Sequence, residues 1–111
     1  MKARYIQRGE SIDYVPESDV PAGEIVRLGN LVGVTKLDIK GGELGALALT
    51  GVYEVETGGR SINHGEIVSL DTETGKAVAS GTPGSVVFGY AVGSAIESDT
   101  TICVLLSQGM N

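Results

Sequence analysis

The segment Gly23–Glu56 decides the fold, and it reads GEIVRLGNLVGVTKLDIKGGELGALALTGVYEVE. It consists of short apolar runs separated by glycine, and it contains no cluster of catalytic side chains. Within Gly51–Glu56 the pattern has a period of two: Tyr53 and Val55 share one face, and the residues between them share the other. This alternation is typical of a strand that is half-buried in an antiparallel sheet.

The opening of this segment recurs later in the chain. Gly23–Leu28 (GEIVRL) is repeated as Gly65–Leu70 (GEIVSL), an offset of 42 residues (65 − 23). Further matches, at an offset of 56 residues (89 − 33), pair two glycines and two apolar runs: Gly33 with Gly89, and Ala46–Leu49 with Ile102–Leu105. The turn-rich insert Asp71–Gly84 accounts for the difference. We therefore predict two related β units, residues 23–56 and 65–107.

Glycine is too frequent for helices to form. The 17 glycines leave few long uninterrupted stretches, and short strands joined by glycine turns are typical of a barrel or a sandwich. We predict an all-β fold, a small β-barrel or sandwich of short antiparallel strands, with Thr100–Ser107 as a central strand. Within Ser85–Ala95 the alternation predicts one face of large residues and one of small residues: Phe88, Tyr90 and Val92 against Gly89, Ala91 and Gly93.

The N-terminal segment differs in character from the rest. Residues 1–21 are predicted to be an extended arm, because prolines and acidic residues gather at its end, and residues 22–111 a single β domain. The arm is expected to pair at a sheet edge, to stay loose, or to alternate between the two. Its basic residues are not followed by an apolar run, so it is not expected to be a secretory signal.

Charge and composition exclude several classes of function. The net charge is −6, of which residues 1–9 carry +3 and the remaining residues −9 (5 − 14). An acidic body argues against a nucleic-acid partner. No apolar run approaches the length of a membrane span. The single cysteine, Cys103, excludes an internal disulfide, is predicted to be a small core residue, and fits folding in a reducing cytoplasm.

Candidate chemical groups are few. His64, the only histidine, lies near Ser61 in a glycine-rich loop, where a solvated side chain is the expected state. Glu54 and Glu56 share one face of a strand, but nothing in the sequence indicates the burial that acid–base catalysis requires. Gly75-Lys76 lacks the rest of a phosphate-binding loop. We therefore predict no enzyme, no metal site and no cofactor.

The order and spacing of the motifs resemble those of one family, the tailed-phage capsid cement, or head decoration, proteins. The motifs that carry this resemblance extend over nearly the whole chain: Gly23–Gly29, Val32–Val34, Lys40–Gly45, Leu47–Leu49, Gly51–Val55, Gly65–Leu70, Asp71–Lys76, Gly89–Val92 and Thr100–Leu105. The resemblance implies a non-enzymatic, β-barrel-like protein that binds the outside of an assembled capsid and stabilises it. It also implies no cofactor, the phage major capsid protein as partner, a homotrimer at local threefold positions, and a location in the virion after synthesis in the host cytoplasm.

In such proteins an N-terminal arm often orders on the capsid. The capsid-contact residues suggested here are basic or apolar side chains of the arm: Lys2, Arg4, Tyr5, Ile6, Arg8, Ile12 and Tyr14. Two other functions stay open at this point. One is a small-ligand or glycan-binding β module with the loop Thr57–Gly65 as its rim, which the scarcity of aromatic residues disfavours. The other is a hydrolase that uses His64 and Ser61.

Overall fold

The chain folds into β-strands joined by turns. The computed structural model describes residues 1–108, and in that range it shows nine strands and no helix. The strands are β1 (Ser11–Tyr14), β2 (Ile25–Leu28), β3 (Leu31–Thr35), β4 (Gly45–Ala48), β5 (Val52–Glu56), β6 (Ile67–Asp71), β7 (Ala77–Val78), β8 (Ser85–Ala91) and β9 (Thr101–Leu106). Accordingly, this range holds no helix long and apolar enough to cross a membrane. Residues 109–111, the end of the predicted β domain, lie outside the described residues.

The strands form two open antiparallel sheets. The first has the order β1-β4-β3-β2 and the second the order β5-β9-β8-β6-β7. Each sheet has two edge strands, so the described residues form a sandwich-like structure and not the closed barrel that was the other predicted form. The prediction of an all-β fold is confirmed.

The two sheets repeat one arrangement of strands and hydrogen bonds. The order β1-β4-β3-β2 corresponds to β5-β9-β8-β6, and β7 is an addition at the edge. Two backbone bonds recur at the offsets seen in the sequence: Gly23 N–H donates to Thr35 O at 2.6 Å, and Gly65 N–H donates to Ala91 O at 2.8 Å. Two isolated bridges also correspond, Val20 with Ile39 and Ile62 with Ala95. The insert Asp71–Gly84 supplies β7.

Short turns connect the strands where the sequence predicts them. Gly29, with a φ of 60°, turns β2 into β3, and Ile25 pairs with Val34 across this hairpin. In Lys40–Glu43 the Glu43 N–H donates to Lys40 O at 3.0 Å, which closes a β-turn. The bond from Glu43 to Lys40 is local to its turn, as is the turn at Gly29–Asn30.

The turn from β6 to β7 is fixed by a carboxylate. Asp71 Oδ1 accepts hydrogen bonds from the backbone N–H groups of Glu73 at 2.8 Å and Thr74 at 3.0 Å. The bonds from Thr74 and Glu73 hold the pKa of the Asp71 carboxyl below its ordinary value, because they favour the charged form. The turn is therefore an Asx-type turn that favours an ionised side chain.

Replacing this carboxylate is expected to make stability less dependent on pH. Because the pKa of Asp71 is lower in the folded state than in the unfolded state, its stabilising contribution is present above the unfolded pKa. That contribution is lost as pH falls through the folded pKa. In denaturant unfolding, Asp71→Asn should have a lower free energy of unfolding than the unsubstituted protein near pH 7. This difference should become smaller as the pH is lowered toward about 2. Glu73→Gln removes the same charge from a neighbouring exposed residue and serves as the control. An equal loss of unfolding free energy in both variants, independent of pH, would contradict this account.

The core lies between the sheets and is mostly aliphatic. Phe88 of β8 is its largest fully buried side chain, and the Tyr53 ring meets it edge to face, with centroids 6.2 Å apart and an interplanar angle of 77°. The first sheet contributes Val32 and Val34 of β3 to the same cluster. Full burial of a valine or phenylalanine side chain stabilises the fold by about 1.5–3 kcal/mol. The β2–β3 hairpin is therefore the part of the first sheet that packs on the second.

A bulge in β8 contradicts the predicted division of its faces. Across β6, Ser69 pairs with Val87 and Val68 pairs with Gly89, so that Phe88 is an extra residue at the register shift. The alternation changes phase there, as it does at β-bulges in general. Phe88 is buried while Tyr90 is exposed, and Ala91 turns inward. The prediction of one large and one small face was wrong because the periodicity was assumed to be unbroken.

The prediction that Cys103 belongs to the core was also wrong. β9 lies between β5 and β8, as expected of a central strand, and it alternates strictly along its length. Ile102, Val104 and Leu106 are buried, so Cys103 points outward and is exposed. An apolar neighbourhood in sequence does not indicate burial when both faces of a strand carry apolar residues.

One side chain joins the end of β9 to the first sheet. Gln108 Oε1 accepts a hydrogen bond from Val32 N–H at 2.9 Å, and its Nε2 donates to Val32 O at 2.6 Å. The amide thus satisfies both backbone groups of a fully buried β3 residue, as a neighbouring strand would do. This contact links the two sheets across 76 residues of sequence.

Candidate functional site

The N-terminal segment is exposed and irregular. Residues 1–8 are exposed without exception and form no strand. Tyr5 and Ile6 expose 76% and 74% of their surface. Arg8 makes an ion pair with Glu10 at 2.9 Å, and both side chains are mostly exposed. The structure therefore leaves Lys2, Arg4, Tyr5, Ile6 and Arg8 accessible to a partner.

The other two suggested contact residues lie in the first sheet. Ile12 and Tyr14 belong to β1, where they pair with Leu47 and Gly45 of β4 and are half-buried. The backbone of this part is held further by Leu49 N–H, which donates to Glu10 O at 2.9 Å. The seven suggested residues are thus not brought together: five precede the sheet, and two form its edge strand.

The segment between β1 and β2 is also tied down. Gly42 N–H donates to Pro16 O at 2.8 Å, and Gly41 N–H donates to Asp19 Oδ1 at 2.8 Å. Thr35, fully buried, donates its hydroxyl to Pro21 O at 2.7 Å. Of the predicted arm, only the part before residue 9 is therefore free of contacts with the sheets.

An apolar row crosses the outer face of the second sheet, and sequence reasoning missed it. Val52 pairs with Leu105, Leu105 with Tyr90, and Tyr90 with Ile67, so that four adjacent strands contribute one residue each. Their exposed fractions are 55%, 42%, 46% and 42% in the order Val52, Leu105, Tyr90, Ile67. One indication of this row was present in the sequence, namely apolar residues on both faces of β9. The row itself can be recognised only when the register of the four strands is known.

Among the clefts found in the described residues, two adjoin the edge strands β1 and β2. One, of about 510 Å³, lies against β1 and β4 and is bordered by the exposed side chains of Leu37 and Leu44 and by Lys36 and Lys40. The other, of about 480 Å³, is lined by carboxylates, among them Glu24, Glu56 and Asp71. Within residues 1–108, no group of at least three His, Cys, Asp or Glu side chains is arranged to hold a metal ion.

The residues considered for catalysis do not form an active site. His64 and Ser61 are both exposed, and the only polar contact of His64 found within residues 1–108 is its backbone N–H donating to Ser94 Oγ at 3.1 Å. Glu54 and Glu56 are exposed on the outer face of β5. The cleft beside the loop Thr57–Gly65 is lined by small and charged residues without an aromatic ring: Glu56, Gly58, Gly59, Lys76, Thr100 and Thr101. A sugar-stacking platform is therefore not formed there.

Comparison with known proteins gives the family. The profile of the family described as phage cement protein matches residues 6–106. The chain belongs to the phage cement proteins. The resemblance found in the sequence is thereby confirmed, and this cement protein has a capsid-associated structural role of a non-enzymatic kind in the virion.

A solved structure is also similar to this cement protein. It is the N base of the head fiber gp8.5 of bacteriophage phi29, which is 22% identical, with 91% of this chain and 96% of that chain covered and a TM-score of 0.45. No curated protein sequence matches the chain significantly.

Proposed function

We propose that this cement protein binds the outer surface of an assembled phage capsid through the major capsid protein and stabilises the shell, acting as a homotrimer at local threefold positions. One observation carries the proposal: a family match to cement proteins is combined with an accessible, basic and apolar N-terminal segment on a folded body. A structural role needs surfaces that meet neighbours, and this segment is such a surface.

The distribution of charge supports a contact through the arm. The body is acidic, whereas Lys2, Arg4 and Arg8 carry positive charge away from it. Such a segment is attracted to acidic surfaces and accelerates association with them. Tyr5 and Ile6, exposed in the free protein, are the apolar anchors that would lose contact with water on binding. We propose these five residues, with Ile12 and Tyr14 of the adjoining edge strand, as the capsid contact.

Several weak contacts suffice for this function. A trimer that places three arms on one shell binds with an avidity that exceeds the affinity of each arm. An extended arm can add a strand to the edge of a capsid sheet, where backbone hydrogen bonds supply the affinity. Because such a contact spans neighbouring subunits, it opposes their separation.

Deletion of residues 1–8 is expected to weaken capsid binding while the protein stays folded. The deletion stops before β1, because β1 belongs to the first sheet. Co-sedimentation with mature, expanded capsids of the parent phage should show saturable binding of the full chain at a fixed ratio to the major capsid protein. The deletion should weaken this binding by about tenfold or more.

A matched pair of variants distinguishes the effect of the arm on capsid binding from the effect of the protein's net charge. Alanine at Lys2, Arg4 and Arg8 removes three positive charges from the arm, and alanine at Lys36, Lys40 and Lys76 removes three from the body. Only the arm variant should bind more weakly. Equal binding by full-length and deleted protein would refute the arm as the contact, and no binding of the full chain to immature or mature shells would refute the decoration role itself.

A further inference from the structure

The strand β5 has a free edge of unusual composition. It is the terminal strand of the second sheet and pairs on one side only, with β9. At its two ends, Leu106 N–H donates to Gly51 O at 2.8 Å and Thr57 N–H donates to Thr100 O at 2.9 Å. Hydrogen bonds alternate along an antiparallel strand, so residues 51, 53, 55 and 57 bond toward β9. The backbone groups of Val52, Glu54 and Glu56 therefore point to the free edge.

The side chains of these three residues follow a simple pattern. Val52, Glu54 and Glu56 are exposed and share the outer face, while Tyr53 and Val55 face the core. The free edge thus presents one apolar residue followed by two carboxylates, at alternate positions. A strand that added here antiparallel would meet them with an apolar residue and two cations in the same alternation.

The arm of this chain has that alternation. In an extended arm Lys2, Arg4 and Ile6 share one face. In antiparallel register they stand opposite three β5 residues: Ile6 opposite Val52, Arg4 opposite Glu54, and Lys2 opposite Glu56. A shift by two residues in either direction breaks the match, because it places Arg8 or Arg4 opposite Val52. Ile6 would also lengthen the exposed apolar row that begins at Val52.

We propose that residues 2–6 of one copy add as an antiparallel strand to the free edge of β5 in a second copy. Charge complementarity selects β5 among the four edge strands. β2 carries Arg27, β7 has only two residues and follows Lys76, and β1 carries a single carboxylate, Asp13. The arm does not pair with the β5 of its own chain, because residues 1–8 form no strand. Gly9 turns the backbone after the arm with a φ of 74°, and Arg8 is paired with Glu10.

This contact is compatible with capsid binding by the same arm. A strand that bonds to β5 through residues 2, 4 and 6 keeps the backbone groups of residues 3, 5 and 7 for a partner on its other side. The exchange of arms is a property of the protein alone and is tested without capsids. Its failure and the failure of the decoration role are therefore distinguishable.

Disulfide trapping between two different variants tests the register. One protein carries Arg4→Cys and the other Glu54→Cys, both with Cys103→Ser because Cys103 is exposed. Directly opposite residues of an antiparallel pair lie about 5.5 Å apart at Cα, within the range of a disulfide. When the two proteins are mixed and oxidised, the mixed dimer should form at least ~10-fold faster than with a Lys36→Cys partner that also carries Cys103→Ser. Lys36 is exposed and lies outside β5, so its rate of trapping measures random collision.

A charge exchange completes the test at the neighbouring pair. Adding Lys2→Glu to the first protein should slow trapping about three- to tenfold, and adding Glu56→Lys to the second should restore it. Trapping no faster than the Lys36→Cys control would overturn the proposal. So would a disulfide that forms only within one chain carrying both Arg4→Cys and Glu54→Cys, since the arm would then bind its own β5.

Discussion

Phe88→Ala is expected to lower the free energy of unfolding by about 3–5 kcal/mol, a large part of the 5–15 kcal/mol typical of a domain. Phe88 is fully buried and is the largest such side chain of the core. It lies at the bulge of β8, where no residue of β6 is paired with it. Its removal therefore leaves a cavity between the sheets and takes away the edge-to-face contact with Tyr53.

Tyr90→Ala is the matched control for that variant. Tyr90 stands on the same strand and exposes 46% of its surface on the outer face. The substitution should cost about 1 kcal/mol, because Tyr90 is not part of the buried core and its removal leaves no cavity between the sheets. Chemical denaturation measures the loss of unfolding free energy for Phe88→Ala and for Tyr90→Ala, provided that the two variants have equal m-values. Similar losses of unfolding free energy for the two variants would show that Phe88 and Tyr90 do not face opposite sides of the second sheet as described.

Gly89→Ala is expected to cost about 3 kcal/mol, at the upper end of what overpacking produces. A Cβ at this position would overlap the carbonyl oxygen of Leu105, and it would stand 2.8 Å from Leu105 C and 3.0 Å from Ser107 N. All three are backbone atoms of β9 or its end, so they cannot move aside without breaking the pairing of β8 with β9. The cost is steric and does not come from the backbone conformation of Gly89.

Gly84→Ala distinguishes the cost of steric overlap from the cost of an unfavourable backbone conformation. Gly84 has a φ of 76°, a conformation that disfavours alanine, but no atom lies within 4 Å of a Cβ built there. It should cost only about 1 kcal/mol. Thermal unfolding of the two variants compares them directly. A Gly89→Ala protein that unfolds at the same temperature as Gly84→Ala would refute the close approach of β9.

Local patterns predicted much of this fold. The Gly29–Asn30 and Asp71–Gly75 turns are determined by neighbouring residues, so the hairpins they form could be identified from the sequence alone. The repeated GEIVxL motif marks β2 and β6, which hold equivalent places in the two sheets. In both, the glycine before the strand donates to a residue of the partner strand.

Features that depend on register could not be predicted. Gly89 within β8 is compatible with a bulge or a close backbone approach, but the position of the bulge at Phe88 follows only from how β8 meets β6. The apolar row from Val52 to Ile67 needs four strands in alignment, and the free edge of β5 needs the strand order. Whether β1 joins a sheet also depends on β4, whose paired residues lie 31 to 37 positions away (45 − 14 and 48 − 11). The division of the chain into an arm and a domain stays a prediction.

Synthesis on the ribosome proceeds from the N-terminus, and the place of β9 makes this order matter. The first sheet uses only residues 11–48 and can assemble early. β5 has no neighbour in its sheet until β9 emerges, since β9 alone connects it to β8. Until then its apolar inner face and both its edges are unprotected. The second sheet therefore cannot be completed before residues 101–106 emerge, and a nascent chain stalled before residue 101 would carry an unpaired strand prone to association.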